Sequence, residues 1–317
     1  MTGYIIKRLL SLIPVVIIVS SLVLIVLHLT PGDPASIMLG PDAPEEALQS
    51  LRERMGFDEP LPVQYYNWIK NIFQGDLGTS IFLRKPVTTA FFEHAGPTIS
   101  LSIMAQALAI IIGIPLGITA ATKRGTFIDQ LVMGISLFGI SIPSFLLGLF
   151  LMLIFGVSLG WLPIAGYRAL DLGFWEHVRH LILPAVALAY IQSAFLARIT
   201  RSSVLEVLNQ DFVKVARAKG LKESTIIYKH VLRNAFIPIL TVIGQSFGIL
   251  LGGLAVIESV FNLPGVGRLI VSSILRRDYV VVQGSVLIIA GVYVMINLTV
   301  DLIYGLIDPR VRLGRTE

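Results

Sequence analysis

Six times the sequence runs for 19 residues or more with at most one charged side chain, over about 9–29, 98–121, 131–158, 181–199, 236–257 and 283–305. That length matches the ~20 apolar residues that carry a helix across a ~30 Å hydrocarbon core. Hydrophobic residues make up 55% of the 317 and charged residues 14%, against roughly 25% charged in soluble domains. The chain therefore reads as an all-α integral membrane protein with six transmembrane helices. The third run contains Pro143 within GISIPSFLLG. A kink is expected there, because proline removes a backbone donor and its ring clashes with the preceding turn.

Lys7 and Arg8 precede the first run, which resembles a signal peptide. It is longer than a signal core and no A-x-A site follows, so an uncleaved first span is expected. Orientation follows from where lysine and arginine fall. With the amino terminus inside, the inner side collects 15 of them: two in the tail, two at Lys123–Arg124, eight across 198–235 and three after 305. The outer side holds 10, and its longest segment, 31–97, also carries nine acids. Both termini are expected in the cytoplasm, in a multi-pass protein of the cell membrane. The net charge of +5 follows from this bordering of the bilayer. It is no nucleic-acid signal, and lipid is the surrounding partner.

Residues 1–97 are read as an N-terminal span with an external cap, and 98–317 as a core domain with five spans. In the cap, Leu48, Leu51 and Met55 recur at helical spacing, as do Tyr65, Ile69 and Phe73. Two short amphipathic helices are expected, with a turn at GDLGTS (75–80). Whether this segment caps its own spans or docks a partner is open at this level.

Several kinds of chemistry are missing. Without cysteine there are no disulfides, thiolate nucleophiles or cysteine-ligated metals. No G-x-x-x-x-G-K-[ST] loop is present to cradle nucleotide phosphates, and no H-E-x-x-H. The histidines at 28, 94, 177, 180 and 230 show no metal-ligand spacing. His177 and His180 read as interfacial. GQSFG (244–248) matches the G-x-S-x-G nucleophile elbow, but Ser246 falls mid-helix and no histidine follows it. Continued to Gly252, the same residues form a small-x-x-x-small stripe that lets helices approach closely. GIPLG (113–117) and GVSLG (156–160) repeat the spacing. No enzyme activity and no cofactor in this chain are expected. Polar residues within spans are few: Gln106, Gln192, Gln245 and Asn297, with Asp301 near the end of the last. Such residues line a translocation path or bond neighbouring helices.

One segment between spans stays periodic although it is basic. Across 211–235, Phe212, Val215 and Ala216 share one helical face, and Ile227, Val231, Leu232 and Ala235 another. Lys214, Arg217, Lys219, Lys222, Lys229 and Arg233 lie between them. Gly220 is where two short helices meet at an angle, since glycine tolerates backbone angles that others avoid. A short rigid element suited to docking another protein is expected.

ARAKG (216–220) with Leu232 resembles the cytoplasmic coupling motif of ABC-importer membrane subunits, E-A-A-x-x-x-G-x9-I-x-L-P. Ala216, Gly220 and Leu232 match it. Lys214, Val215, His230 and Arg233 depart from it. YIIKRLLSLIP at the start, TPGDPA (30–35), QGDLGTS (74–80), ISIPSFLLG (140–148) and LGWLPIAG (159–166) extend the resemblance. ARITRSSVLEVLNQDFVKVARAKG (197–220), IESVFNLPGVGRL (257–269) and NLTVDLIYGLIDPRVR (297–312) carry it almost to the end. The chain is similar to permease subunits of the dipeptide/oligopeptide/nickel ABC-importer family, nearest the dipeptide and glutathione B/C-type subunits. The resemblance implies a type I importer permease fold and Lys214, Ala216, Arg217, Gly220, Leu221 and Leu232 as ATPase-coupling residues. It also implies a second homologous permease subunit, an extracytoplasmic substrate-binding protein and two ATPase subunits that bind ATP and magnesium. A short peptide is the implied substrate, with glutathione or a nickel chelate as alternatives. An ion-driven carrier is the rival mechanism, but no half-to-half repeat and no central charge support it.

Overall fold

The computed structural model describes residues 34–40, 43–56, 58–80 and 82–307, with Pro14, Ile17, Ile18, Ser21 and Ile25 standing singly. Apart from those five, the expected first span, 9–29, lies outside the described residues, as do the residues beyond 307. The helices are α1 Pro34–Leu39, α2 Glu45–Met55, α3 Leu61–Phe73, α4 Val87–Thr122, α5 Phe127–Ser141 and α6 Ser144–Leu151. After them come α7 Phe174–Leu208, α8 Asp211–Ala218, α9 Glu223–Thr225, α10 Leu232–Val260, α11 Val266–Leu275 and α12 Tyr279–Ile307. Thr79–Ser80 and Lys85–Pro86 pair antiparallel as β1 and β2. Two compact units result, one of residues up to Gly96 with Pro264–Met295, the other of Pro97–Leu263 with the residues from Ile296 onward.

Among the described residues four helices are long and apolar enough to cross a membrane: α4, α7, Glu223–Gly248 and Tyr279–Val300. The first two contain the second and fourth expected runs and extend well past them, and the other two overlap the fifth and sixth. At 1.5 Å per residue the 36 residues of α4 measure about 54 Å, more than the bilayer core requires. The third run is broken, not kinked. Phe127–Ser141 and Ser144–Ser158 are bent by 103° at Pro143. Ile142 is extended, φ −92° and ψ 122°, because a residue before proline is pushed out of the helical region. Pro143 then stands at the N-cap of α6.

In the second unit, α4 and α7 touch backbone to backbone. A Cβ on Gly113 would lie 2.8 Å from the Ser193 carbonyl oxygen, and one on Gly117 2.5 Å from that of Ala197. The register rises in the same direction on both helices, so they run parallel. The GIPLG stripe is thus a helix-packing surface. GVSLG is not: Gly156 meets Ile164 of the loop just after it, and Gly160 takes φ +64° in a turn with nothing near. The third stripe is divided, since Gly244 packs on Val300 while Gly252 faces open space.

Two apolar clusters fill this unit. Leu101, Leu181, Leu188, Leu250, Leu254 and Phe261 form one. Ile118, Leu196, Val204, Val213, Ile226 and Ile239 belong to the other. In the first unit Val87, Leu269 and Val281 pack together, and Asp278, buried, accepts a hydrogen bond from the Ser80 hydroxyl. Burial pushes the Asp278 carboxyl above its usual range, partly offset by that donor. The two amphipathic helices expected in 31–97 are α2 and α3. Their faces differ in detail: Leu48 is buried, whereas Phe73 is 88% exposed, and Tyr65, Trp68, Ile69 and Ile72 form the half-buried side of α3.

Candidate coupling site

The basic segment folds as two short helices around Gly220. α8 begins after extended Gln210, with Asp211 in its first turn, where a carboxylate suits the positive helix end. Val213 and Ala216, three apart, turn inward to the second apolar cluster. The chain then closes α8 with two reversed bonds. The Leu221 N–H donates to the Ala216 oxygen at 3.3 Å and the Gly220 N–H to that of Arg217 at 2.9 Å. This pair is a Schellman motif, which places the residue after the cap in the left-handed region. Gly220 occupies that place at φ +74°, with open space where a side chain would go. Its requirement is one of backbone angle, not of packing.

Lys222 caps α9, and the chain passes through one π-helical stretch, Ile226–Val231, into α10. Such stretches concentrate at functional sites. Ile226, Val231 and Ala235 join the same cluster as Ile118 and Ala121 of α4 and Val204 and Val207 of α7. The element is therefore bolted by its apolar underside to three long helices. Across the turn, Arg217 donates to both oxygens of Glu223, at 2.6 and 3.2 Å. The Glu223 bonds hold the Arg217 guanidinium above its usual pKa, so it stays charged.

Six coupling residues were expected here, and they divide. Ala216 is buried and Leu232 packs against the cluster, while Lys214, Arg217, Gly220 and Leu221 face outward. Lys214 pairs with Asp211 at 2.8 Å. The expected buried face of α8 is corrected: Val213 replaces Phe212 and Val215, which are exposed. With Leu221 and Tyr228, also exposed, they set apolar groups among the lysines. Glu223 was missed as well. Its six-residue separation from Arg217 is no helical spacing, and only the reversed turn brings the two together.

The polar residues of the spans separate likewise. Ser246 Oγ donates to Gln106 Oε1 at 2.7 Å, and Gln192 Nε2 donates to the Ser246 carbonyl oxygen at 3.3 Å. One residue from each of α4, α7 and α10 thus meets in a buried knot. Ser246 sits mid-helix with that amide as its side-chain partner, and no nucleophile elbow forms. Gln245 is exposed and Asn297 half-buried. Glu258, passed over in the sequence, is fully buried and accepts from Thr98 Oγ1 at 2.6 Å. His177 and His180 are each bonded through Nδ1 to a backbone oxygen, of Arg168 and Glu176.

A family model described as "Binding-protein-dependent transport system inner membrane component" matches residues 113–313. A second, "Binding-prot-dependent transport system membrane comp, N-term", matches residues 1–103. The chain is 43% identical over 309 residues to "Probable peptide ABC transporter permease protein y4tP" of Sinorhizobium fredii, covering 98% of this chain and 99% of that one. It is 44% identical over 312 residues to "Glutathione transport system permease protein GsiC" of Salmonella typhimurium, with the same coverage. Among solved structures, the MetNI methionine ABC transporter in inward facing conformations matches at TM-score 0.56 and 18% identity. That match covers 70% of this chain and 97% of the other and shows a shared fold.

Proposed function

We propose that this chain, which belongs to the binding-protein-dependent transport system inner membrane components, is one of two unlike permease subunits of an importer of short peptides. The observation that carries the reading is the Gly220-centred element. It fixes its buried side to three long helices and turns Phe212, Lys214, Val215, Leu221 and Tyr228 outward. Without a nucleotide loop of its own, the chain takes its driving force through that surface. Two ATPase subunits bind ATP and magnesium and hold the element, and an extracytoplasmic binding protein delivers substrate. ATP binds one closure state of the ATPase pair better than the other. That differential affinity biases the spans between inward and outward states. The coupling element and both termini lie in the cytoplasm. Gln245, exposed on α10, is the foremost of the four polar residues for the path, with Asn297 second; Gln106 and Gln192 are tied to Ser246.

Glutathione, itself a short peptide, is the second reading, favoured by relatives at 44% identity that carry that name. The deciding experiment reconstitutes the four-subunit assembly with its binding protein in proteoliposomes. Labelled dipeptide, tripeptide and glutathione are supplied with and without enclosed ATP, and ligand retained by the binding protein is identified by mass spectrometry. ATP-dependent uptake of α-linked peptides is expected, reduced by Gln245→Leu without loss of assembly. Uptake that persists without ATP overturns the importer reading, and uptake of glutathione alone transfers the substrate to the second.

A further inference from the structure

α5 lies antiparallel to α7. Near one end of the contact Gly139 faces Tyr190 and Ala194. Near the other, Arg201 grips Asp129 through two bonds, at 2.6 and 2.8 Å. Between these points a groove of about 190 Å³ is walled by α4, α5 and α7, including Ile112, Leu116, Val132, Ile135, Tyr190 and Ala194. Its lining is almost wholly apolar. The two serine hydroxyls in it are already used: Ser136 donates to the Val132 oxygen and Ser193 to that of Tyr190, each at 2.8 Å. A polar occupant would leave its own groups unpaired there, which costs a few kcal/mol per group, whereas hydrocarbon forfeits nothing. Ile112, Leu116 and Ile135 are 40%, 39% and 49% exposed, so the groove opens to whatever surrounds the helices.

A cation stands at its end. Val186, Tyr190, Ala194 and Arg198 follow at four-residue steps along one face of α7, and the first three line the groove. Arg198 is one turn further on, exposed, with its guanidinium 5.4 Å from the Phe195 ring centre. Among the described residues no carboxylate pairs with it, unlike Arg201, which Asp129 holds. Asp129 also accepts from the Gly125 N–H at 3.0 Å, which ties the exposed Lys123–Arg124 loop to the same end. From Val186 to Arg198 the helix rises about 18 Å, close to one leaflet's half of a ~30 Å core.

We propose that this groove and Arg198 form a site for one anionic glycerophospholipid, with an acyl chain along the α5–α7 seam and the phosphate on the guanidinium. The proposal rests on the function above only for the leaflet, which is the cytoplasmic one. An arginine suits a phosphate because its planar fork donates two parallel hydrogen bonds. The occupant lies against Val132, Ile135 and Ser136 of α5 and bridges that helix to α7.

The test uses the purified assembly in nanodiscs of phosphatidylcholine doped with phosphatidylglycerol or phosphatidylcholine carrying an acyl-chain diazirine. After illumination, labelled peptides are mapped by mass spectrometry. Labelling of 112–116, 132–136 and 186–194 is expected, several times stronger from the phosphatidylglycerol probe. Arg198→Gln should cut that preference about fivefold, the worth of one basic residue beside an anionic surface, and leave phosphatidylcholine labelling unchanged. Ile135→Trp should lower both. Equal labelling by the two probes, or a preference untouched by Arg198→Gln, overturns the site. So does capture of the second permease subunit by a photoreactive residue at Ile135, which would make the groove a subunit seam. Surface labelling of a cysteine at Lys222 reports the leaflet separately, so a wrong orientation and a wrong site give different results.

Discussion

At the scale of single residues, Gly220 is fixed by a backbone angle and not by a contact. Its φ of +74° is needed for the Schellman bonds that turn α8 back on itself, yet nothing lies within 4 Å of an added Cβ. Valine there meets backbone strain of about 1–3 kcal/mol and no clash. The spans, held by two large apolar clusters, tolerate that amount, while docking at 1.4 kcal/mol per tenfold does not. Gly220→Val is expected to insert and pair normally, and to lower binding-protein-stimulated ATP hydrolysis and uptake fivefold or more. Lys222→Ala, exposed on the same turn, is the control and should change either by less than twofold. The Arg217–Glu223 pair is about half exposed on both sides. Pairs of that kind contribute ~0–1 kcal/mol, so the pair trims the shape of the turn, and the Gly220 angle decides it.

At the scale of elements, the contact of α4 with α7 depends on two absent side chains. Gly117 would place a Cβ 2.5 Å from a carbonyl oxygen and 2.6 Å from Thr200 Cβ, whereas Gly252 on α10 faces open space. Membrane helices lack a hydrophobic drive toward one another, so their association rests on close packing and polar bonds. Gly117→Leu forces the pair apart, and overpacking of this kind costs about 1–3 kcal/mol or more. In detergent it should lower the midpoint of thermal unfolding by several degrees and reduce the yield of monodisperse protein. Gly252→Leu should leave the midpoint where it is. A matching loss in both would remove the special standing of the α4–α7 crossing. The spacing GIPLG announced this contact, but GVSLG has the same spacing and serves a loop. Spacing alone does not say which glycine has a helix opposite it.

For the whole molecule, the side on which each segment lies is set by charge. Lys123–Arg124, Arg198, Arg201 and the basic residues of 211–235 fall at the same end of the second unit, through the parallel course of α4 and α7 and the antiparallel course of α5. The natural chain has no cysteine, so single cysteines report without background. Introduced at Glu59 and Lys222, they should react with a membrane-impermeant maleimide from outside and from inside the cell respectively. Reaction of both from one face would overturn the topology.

The sequence by itself determined that this is a helical membrane protein, because uncharged runs of bilayer length have no other stable solution in lipid. It located four helices long enough to cross, the proline break, the amphipathic pair α2 and α3, and the Gly220 turn, each a property of neighbours along the chain. Tertiary structure decided the rest. Phe212 and Val213 are adjacent and both apolar, and only the position of α4, α7 and α10 determines that Val213 is buried. Gln106, Gln192 and Ser246 looked alike as polar residues in spans, yet their meeting required three helices separated by up to 140 positions in sequence. Pro143 promised a bend, but its 103° was decided where α5 and α6 each find their own packing against α7. Periodicity records which side of a helix is apolar. It does not record what stands opposite, and in a membrane, where both lipid and protein accept an apolar face, only the assembled neighbours make that choice.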